Sequence, residues 1–390
     1  MPDVCDVLTV LRFGVYTGPR SQNERGGVRP KGEERTGMTR MTMRERILAV
    51  VQGRVMDRVP FVIYDGLLPV AEVQQHLGRE RIGLLRWSAI HRVETPHCYI
   101  ETKDYFLGAA RWQRNTIHTP RGSIYEERAF EPVYESSSIR KHYVQEAQDY
   151  EVFWAYLEDA VLLEDYKRYH RDQAELGDDG TPLVAVERTP YQQLWVQWVG
   201  IDMLGYHFAD YPDRVERTIE LLRQRARQIF AIAARSPAPF VDFPDNITAP
   251  TIGPRRFSEY CVPLYDELAD MLAERQAIVF VHMDGDLKPL WPAITACKVR
   301  GIDSLSPTPD NDTSVAQAAA LWPEMRLFVN FPSSVHLRPP QQVREEAEAI
   351  LAAAGHTGRL QIQLSENVPL SVWRASLPAI AEAVEAFGVP

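Results

Sequence analysis

The chain has 390 residues, 45% hydrophobic and 25% charged, with a formal net charge of −10. That length buries a sizeable core as one large domain or two modest ones, and the acidic balance argues against a nucleic-acid or anionic-membrane surface. Cys5, Cys98, Cys261 and Cys297 fall in no metal-finger or disulfide spacing, no apolar run approaches the roughly 18 residues that span a bilayer, and the N-terminus lacks signal-peptide order, so the protein reads as soluble and cytoplasmic.

Residues 1–40 carry Gly18-Pro19, Gly26-Gly27, Pro30 and Gly37 among charges with no apolar period, the composition of a disordered extension. Met38, Met41 and Met43 lie at its end, so it reads as an upstream start of translation, and the folded domain is expected over residues 41–390. MTMRERILAVVQG sets Met43, Ile47, Leu48 and Val51 at helical spacing and stops at Gly53. A turn at Asp57 to Pro60 leads into a strand, Phe61 to Tyr64, that ends in the acid Asp65. Helical and irregular sequence, including Leu84 to Arg92, runs to about Thr102. Thr116 to Thr119 and Ser123 to Glu127 alternate around Pro120-Arg121-Gly122, which predicts a hairpin embellishing the main fold. Ala147 to Arg171 is helical in pattern.

From about Leu183 short apolar strands alternate with longer amphipathic helices, the rhythm of βα units on a parallel sheet. The strands are Leu183 to Val186, Phe240 to Val241, Ile278 to Val281, Ile302 to Leu305, Leu327 to Val329 and Leu360 to Leu364. With Phe61 to Tyr64 and one more around Tyr99 to Glu101, the count reaches about eight, enough to close a (β/α)8 TIM barrel. The C-terminal tips of such strands share one mouth, where active sites sit. Asp65, Glu187, Asp242, Asp245, His282, Asp284, Asn330 and Glu366 all fall at these tips, with Asn246 in the same loop as Asp245. Asp65, Asp242 and Asp245 are candidate acid/base groups; Asn246, Glu187 and Asn330 are candidate substrate contacts. His207 is a further candidate for lining the mouth, although a lone histidine in a helix-rich stretch is more often structural. In AIVFVHMDGDLKPL, from Ala277 to Leu290, strand period turns His282 and Asp284 to one side, where they can hold a metal or form an acid/base pair. An ordinary strand-to-turn transition is the plain alternative.

The chain resembles the uroporphyrinogen decarboxylase superfamily, which includes zinc-dependent, cobamide-linked methyltransferases. The resemblance is carried by MTMRERILAVVQGRVMDRVPF, TIHTPRGSIYEE, FVDFPDNITAPTIGPRRFSEYCVPLYDEL, HMDGDLKPLWPAI and GIDSLSP, and covers nearly everything after residue 41. It implies a uroporphyrinogen decarboxylase-like barrel. The decarboxylases of that family carry an arginine-bearing RQAGRY segment, whereas the corresponding VPFVIYDGLLPV has no arginine, so tetrapyrrole decarboxylation is not expected. The methyltransferase branch places His-x-Cys-Gly at the central strand tip and a second cysteine after the last strand. Here His282 and Gly285 match, Asp284 replaces the first cysteine, and the second position falls near Glu366. The resemblance therefore implies a methyltransferase in which His282, Asp284 and Glu366 hold zinc or another divalent metal, acting on a small methylated or corrinoid-bound substrate, the corrinoid coming from a partner protein. A metal-independent decarboxylase or lyase on a small carboxylic acid, and a non-catalytic ligand-binding barrel, are the alternatives.

Removing residues 1–40 is expected to leave stability and activity unchanged, because that stretch has no periodic apolar face to pack. Melting temperatures of the full and truncated chains check this, and a large drop on truncation would make the extension part of the fold.

Overall fold

A computed structural model of the chain describes residues 40–132 and 136–388, so the expected extension lies, apart from Arg40, outside the described residues. The first eight strands are β1 (Phe61–Tyr64), β2 (Gly83–Ser88), β3 (His91–Glu94), β4 (Tyr99–Leu107), β5 (Ala110–Thr119), β6 (Gly122–Phe130), β7 (Ser137–Lys141) and β8 (Val161–Glu164). The remainder are β9 (Gly180–Ala185), β10 (Phe240–Phe243), β11 (Ile278–His282), β12 (Gly301–Leu305), β13 (Arg326–Asn330) and β14 (Leu360–Leu364). β1, β14, β13, β12, β11, β10, β9 and β2, in that order, close a parallel barrel. Closure is made by β1, which pairs with the last strand (Phe61 with Ile362) and with the second (Val62 with Gly83). Helices such as Pro212–Arg235, Pro340–Ala354 and Trp373–Phe387 follow the later strands. The barrel strands are buried on both faces, as the continuous apolar runs of a parallel sheet require. No helix among the described residues is long and apolar enough to cross a membrane.

The opening helix, Met43–Gln52, is set by local chemistry. Thr42 and Glu45 form a capping box, with Glu45 N donating to Thr42 Oγ1 at 3.2 Å and Thr42 N to Glu45 Oε2 at 2.7 Å. Gly53 ends the helix at φ 64°, a left-handed conformation that costs glycine little. The helix underlies the N-terminal end of the barrel: Met43 fills the space over Gly83, and Arg326 Nε donates to Val51 O at 3.1 Å.

Two expectations need correction. The eighth barrel strand is β2, within the stretch read as helical or irregular, and not the region of Tyr99 to Glu101. β4 is exposed along most of its length and pairs antiparallel with β5, in a sheet ordered β4-β5-β6-β7, so it has no buried face to give a barrel. Arg86 and Trp87 obscured the apolar signal of β2. The stretch from Ala147 to Arg171 is also not one helix, because it is split into Asp149–Asp159, β8 and Lys167–Leu176, with β8 pairing antiparallel to β3. Asp159 ends the first of these helices by accepting hydrogen bonds from His97 N and Cys98 N, both at 2.9 Å. The predicted hairpin is present as β5 and β6, extended into the four-stranded sheet.

β2 and β9 approach unusually closely at Gly180, where an added Cβ would lie 2.0 Å from the Leu84 carbonyl oxygen. Gly180→Ala has to push two barrel strands apart, and a loss of about 1–3 kcal/mol is expected in denaturant unfolding. An unchanged midpoint would mean that this pairing tolerates displacement.

Candidate active site in the barrel mouth

Four strands carry a triplet of one pattern: Phe240-Val241-Asp242 in β10, Phe280-Val281-His282 in β11, Gly301-Ile302-Asp303 in β12 and Phe328-Val329-Asn330 in β13. Because side chains alternate along a strand, the first and third members share the barrel interior and the second turns outward. The first members make an aromatic floor. Phe240 meets Phe280 at 5.4 Å and Phe328 at 6.3 Å between ring centroids, and Phe280 meets Phe328 at 4.6 Å. Gly301 makes room for the Phe280 ring, which an added Cβ would meet at 2.3 Å. The third members form a polar layer one step nearer the mouth: Asp242, His282, Asp303 and Asn330, all buried. β1 and β14 add Tyr64 and Gln363 to it.

The layer is knitted around Asp303. His282 Nδ1 lies 2.9 Å from Asp303 Oδ2, Tyr64 OH donates to the same oxygen, and Gln363 Nε2 donates to Oδ1 at 2.9 Å. On its other side His282 Nε2 lies 3.6 Å from Asp284 Oδ2, which accepts from Asn246 Nδ2 at 3.2 Å. Asn246 Oδ1 in turn accepts from Arg188 Nη2 at 3.0 Å. Asp242 is fully buried, and among the described residues neither of its oxygens has a hydrogen-bond partner. Asp242, His282 and Asp303 each offer a ligand atom within 4.8 Å of the others. A bulge places Asp303: the β12–β13 register shifts between Ile302 and Leu305, and Ser304 takes φ 61°.

Charge crowding sets the protonation of this layer. Burial, and then the Asp303 carboxylate, push the Asp242 carboxyl well above the ordinary range. Burial alone would lower His282, but hydrogen bonds and charge from Asp284 and Asp303 outweigh it and hold the imidazole well above its usual value. Burial would likewise raise Asp284, yet His282 and Asn246 keep it below the ordinary carboxylate value.

The structure thus brings together His282, Asp284, Asp242 and Asn246 among the residues singled out from sequence. Glu366 stands apart from the three-residue group: its carboxylate accepts from Ser306 Oγ at 3.2 Å and Ser333 Oγ at 2.7 Å. Asp65 points to Arg86, whose Nε donates to it at 2.6 Å, because Tyr64 takes the inward position of β1. Asp245 is buried at the mouth with both oxygens engaged, by Thr189 N at 2.8 Å, Thr189 Oγ1 at 3.0 Å and Tyr265 OH at 2.5 Å. Burial raises its carboxyl to about 6 against the pull of those bonds. Asn330 donates to Ser306 Oγ at 3.1 Å and accepts from Ser365 N at 3.0 Å. His207 belongs to helix Ile201–Asp210, paired with Tyr150 OH at 2.9 Å and Gln145 O at 3.2 Å. Asp303, Tyr64, Gln363 and Arg188 were not anticipated.

Comparison with curated protein sequences gives no match. The profile of the uroporphyrinogen decarboxylase (URO-D) family matches residues 201–387. Among solved structures, a methyltransferase from Methanosarcina mazei is similar, with a TM-score of 0.54 at 12% identity over 89% of this chain and 99% of that one. At that identity the likeness is one of fold.

Glu187 follows β9 at φ 78°, an uncommon conformation for a side-chain-bearing residue. Arg225 grips it with Nε at 3.2 Å and Nη2 at 2.9 Å, and His91 Nε2 lies 3.8 Å away. Burial would raise this carboxyl, but Arg225 and His91 hold it down at about 2. A folded value below the unfolded one stabilises the protein above the unfolded pKa and loses that contribution as pH falls. Glu187→Gln is therefore expected to cost about 3–5 kcal/mol at pH 7, as breaking a buried ion pair does, with the difference from wild type shrinking from about pH 4.5 toward 2 in urea unfolding. A deficit that did not change with pH would show that the pair's charge is not what stabilises the turn.

Proposed function

We propose that the chain is a member of the uroporphyrinogen decarboxylase superfamily, whose profile matches residues 201–387, and that it is a methyltransferase-like enzyme acting on a small methylated or corrinoid-bound substrate at the barrel mouth, with zinc or another divalent metal held by Asp242, His282 and Asp303. The observation that carries the proposal is the Asp242 carboxylate, fully buried and without a hydrogen-bond partner. An isolated buried carboxylate is costly, and a second one at Asp303 adds repulsion, so the pair calls for a cation or a proton between them. The donor set fits a divalent cation: one imidazole and two carboxylates, with ligand atoms gathered within 4.8 Å. The similar methyltransferase fold supports the reaction class.

Each residue has a definite task in this reading. Tyr64 and Gln363 would fix the Asp303 ligand through its two oxygens, and Asp284, beside Nε2 of His282, would orient the ring whose Nδ1 faces Asp303, the kind of support that metal-binding histidines receive from carboxylates that are not themselves ligands. Asp284 and Asn246 hold the Nε2 side of that ring from the mouth. The aromatic floor closes the site to water from below. When bound, a divalent metal supplies Lewis acidity toward a substrate heteroatom.

A second reading, a metal-independent carboxy-lyase with Asp242 as general acid, draws on the same raised carboxyl. Elemental analysis decides between them. Protein purified without chelator is expected to carry about one divalent metal per chain, reduced at least tenfold in Asp242→Asn and His282→Ala. Metal-free protein that neither binds zinc nor gains thermal stability from it would overturn the metal centre, and turnover of a carboxylic acid after exhaustive chelation would favour the lyase.

A further inference from the structure

We propose that Arg188 is a carboxylate-binding subsite beside the Asp242–His282–Asp303 centre, so that the substrate is a small organic carboxylate whose charged end is held by this guanidinium. The proposal rests on reading the barrel mouth as the substrate site, and not on the metal or the methyl chemistry.

Among the described residues three arginines are more than nine-tenths buried: Arg46, Arg188 and Arg225. Two have carboxylate partners. Arg46 places Nε and Nη2 on Asp57 at 2.7 and 2.8 Å, and Arg225 grips Glu187. Arg188 has no carboxylate within 4.0 Å among the described residues; its Nη2 donates to the neutral amide oxygen of Asn246, and its Nε is buried without a partner. A buried charge held by one neutral hydrogen bond is a costly arrangement, and an anion received by the guanidinium would complete it.

The backbone around Arg188 is built to hold it there. Glu187, with its left-handed φ of 78°, is gripped by Arg225, and the Arg188 carbonyl accepts from Gln193 Nε2 at 2.8 Å. Thr189 is fastened to Asp245 through both its amide and its hydroxyl. A strained residue fixed on both sides is a recurrent way of presenting a functional group. Gln192, in the short helix Pro190–Gln193 that follows, adds a fully buried amide with neither atom partnered among the described residues.

The ligand's charge can be read from the surroundings. Asn246 ties Arg188 to Asp284, which faces His282, and Asp245 braces the next residue. Against these acids a doubly charged phosphate is disfavoured, whereas a singly charged, planar carboxylate matches the guanidinium fork. The Asn246–Asp284 link places the group bound at Arg188 next to the centre, where the other end of a small molecule would react.

Calorimetric titration of the full-length protein with acetate, benzoate and 4-methoxybenzoate, against benzamide and inorganic phosphate, tests the assignment. At least one carboxylate is expected to bind saturably and benzamide not to bind. Affinity is expected to fall at least tenfold in Arg188→Gln, and also in Arg188→Lys, which keeps the charge but loses the fork. Because no native ion pair is removed, Arg188→Gln should keep or raise the melting temperature; if it does not fold, Arg188→Lys carries the comparison. The Asp242→Asn variant should still bind the carboxylate, which separates this proposal from the fate of the metal centre. The assignment is overturned if no carboxylate binds, if phosphate binds and carboxylates do not, or if binding survives the loss of Arg188.

Discussion

Two carboxylates and one imidazole confined in the upper layer of the barrel are the constraint on which the rest of the mouth depends. Asp242 and Asp303 are wholly buried, and water cannot spread their charge. Asp303 is satisfied by Tyr64, His282 and Gln363, which reach it from three other strands. Among the described residues Asp242 receives no hydrogen bond, and burial together with the Asp303 carboxylate favours its protonated form. Below the layer the floor of Phe240, Phe280 and Phe328 is apolar, with Gln361, whose Nε2 donates to Gln363 Oε1 at 2.9 Å, as a polar neighbour beside it.

Around that layer the acids fall into two populations with different work. Glu187 and Asp245 have both oxygens committed to the protein, and their bonds to Arg225, Thr189 and Tyr265 make the connection after β9 rigid. Asp242 and Asp284 retain capacity for a ligand or face the histidine directly. The division follows from hydrogen bonding and not from burial, since Asp245 and Asp242 are equally inaccessible. Preorganisation of this kind lets a site keep an unsatisfied group: the strain is confined to a few positions and carried by the bonds around them.

Much of this was legible in the sequence. Parallel strands covered on both faces read as short apolar runs, and the tips of β10, β11 and β13 are where Asp242, His282 and Asn330 were sought. Asp303 escaped because it lies inside the expected strand Ile302 to Leu305 and not at its end. Yet the spacing was present, since Gly301-Ile302-Asp303 repeats the aromatic-or-small, aliphatic, polar order of the triplets in β10, β11 and β13, and Leu360-Gln361-Ile362-Gln363-Leu364 alternates in the same way. Parity also separates Tyr64 from Asp65: the conspicuous acid is one residue past the inward position, and a one-residue step turns a side chain to the other face. Arg188 was hidden for another reason. Nothing local distinguishes an arginine with a carboxylate partner from one without, because Asp57 and Glu187 reach their arginines only through the fold.

Replacement of the first family cysteine by Asp284 takes on a different meaning once the polar layer is known. At that position a thiolate would give a metal a soft, strongly neutralising ligand, whereas Asp284 is hydrogen-bonded to Asn246 and pairs with the outer nitrogen of His282. The acids that accompany His282 in the three-residue group lie deeper, at Asp242 and Asp303. In the proposed metal-binding reading the donors therefore move from the loop into the strands. Strand donors are held by packing on both faces and are more rigid than loop donors. Oxygen donors also neutralise a divalent cation less than thiolates do, leaving it a harder and stronger Lewis acid. Such a centre is suited to polarising an oxygen-bearing substrate in preference to activating a thiol, which agrees with the carboxylate proposed to bind at Arg188, the one buried arginine without a carboxylate partner among the described residues.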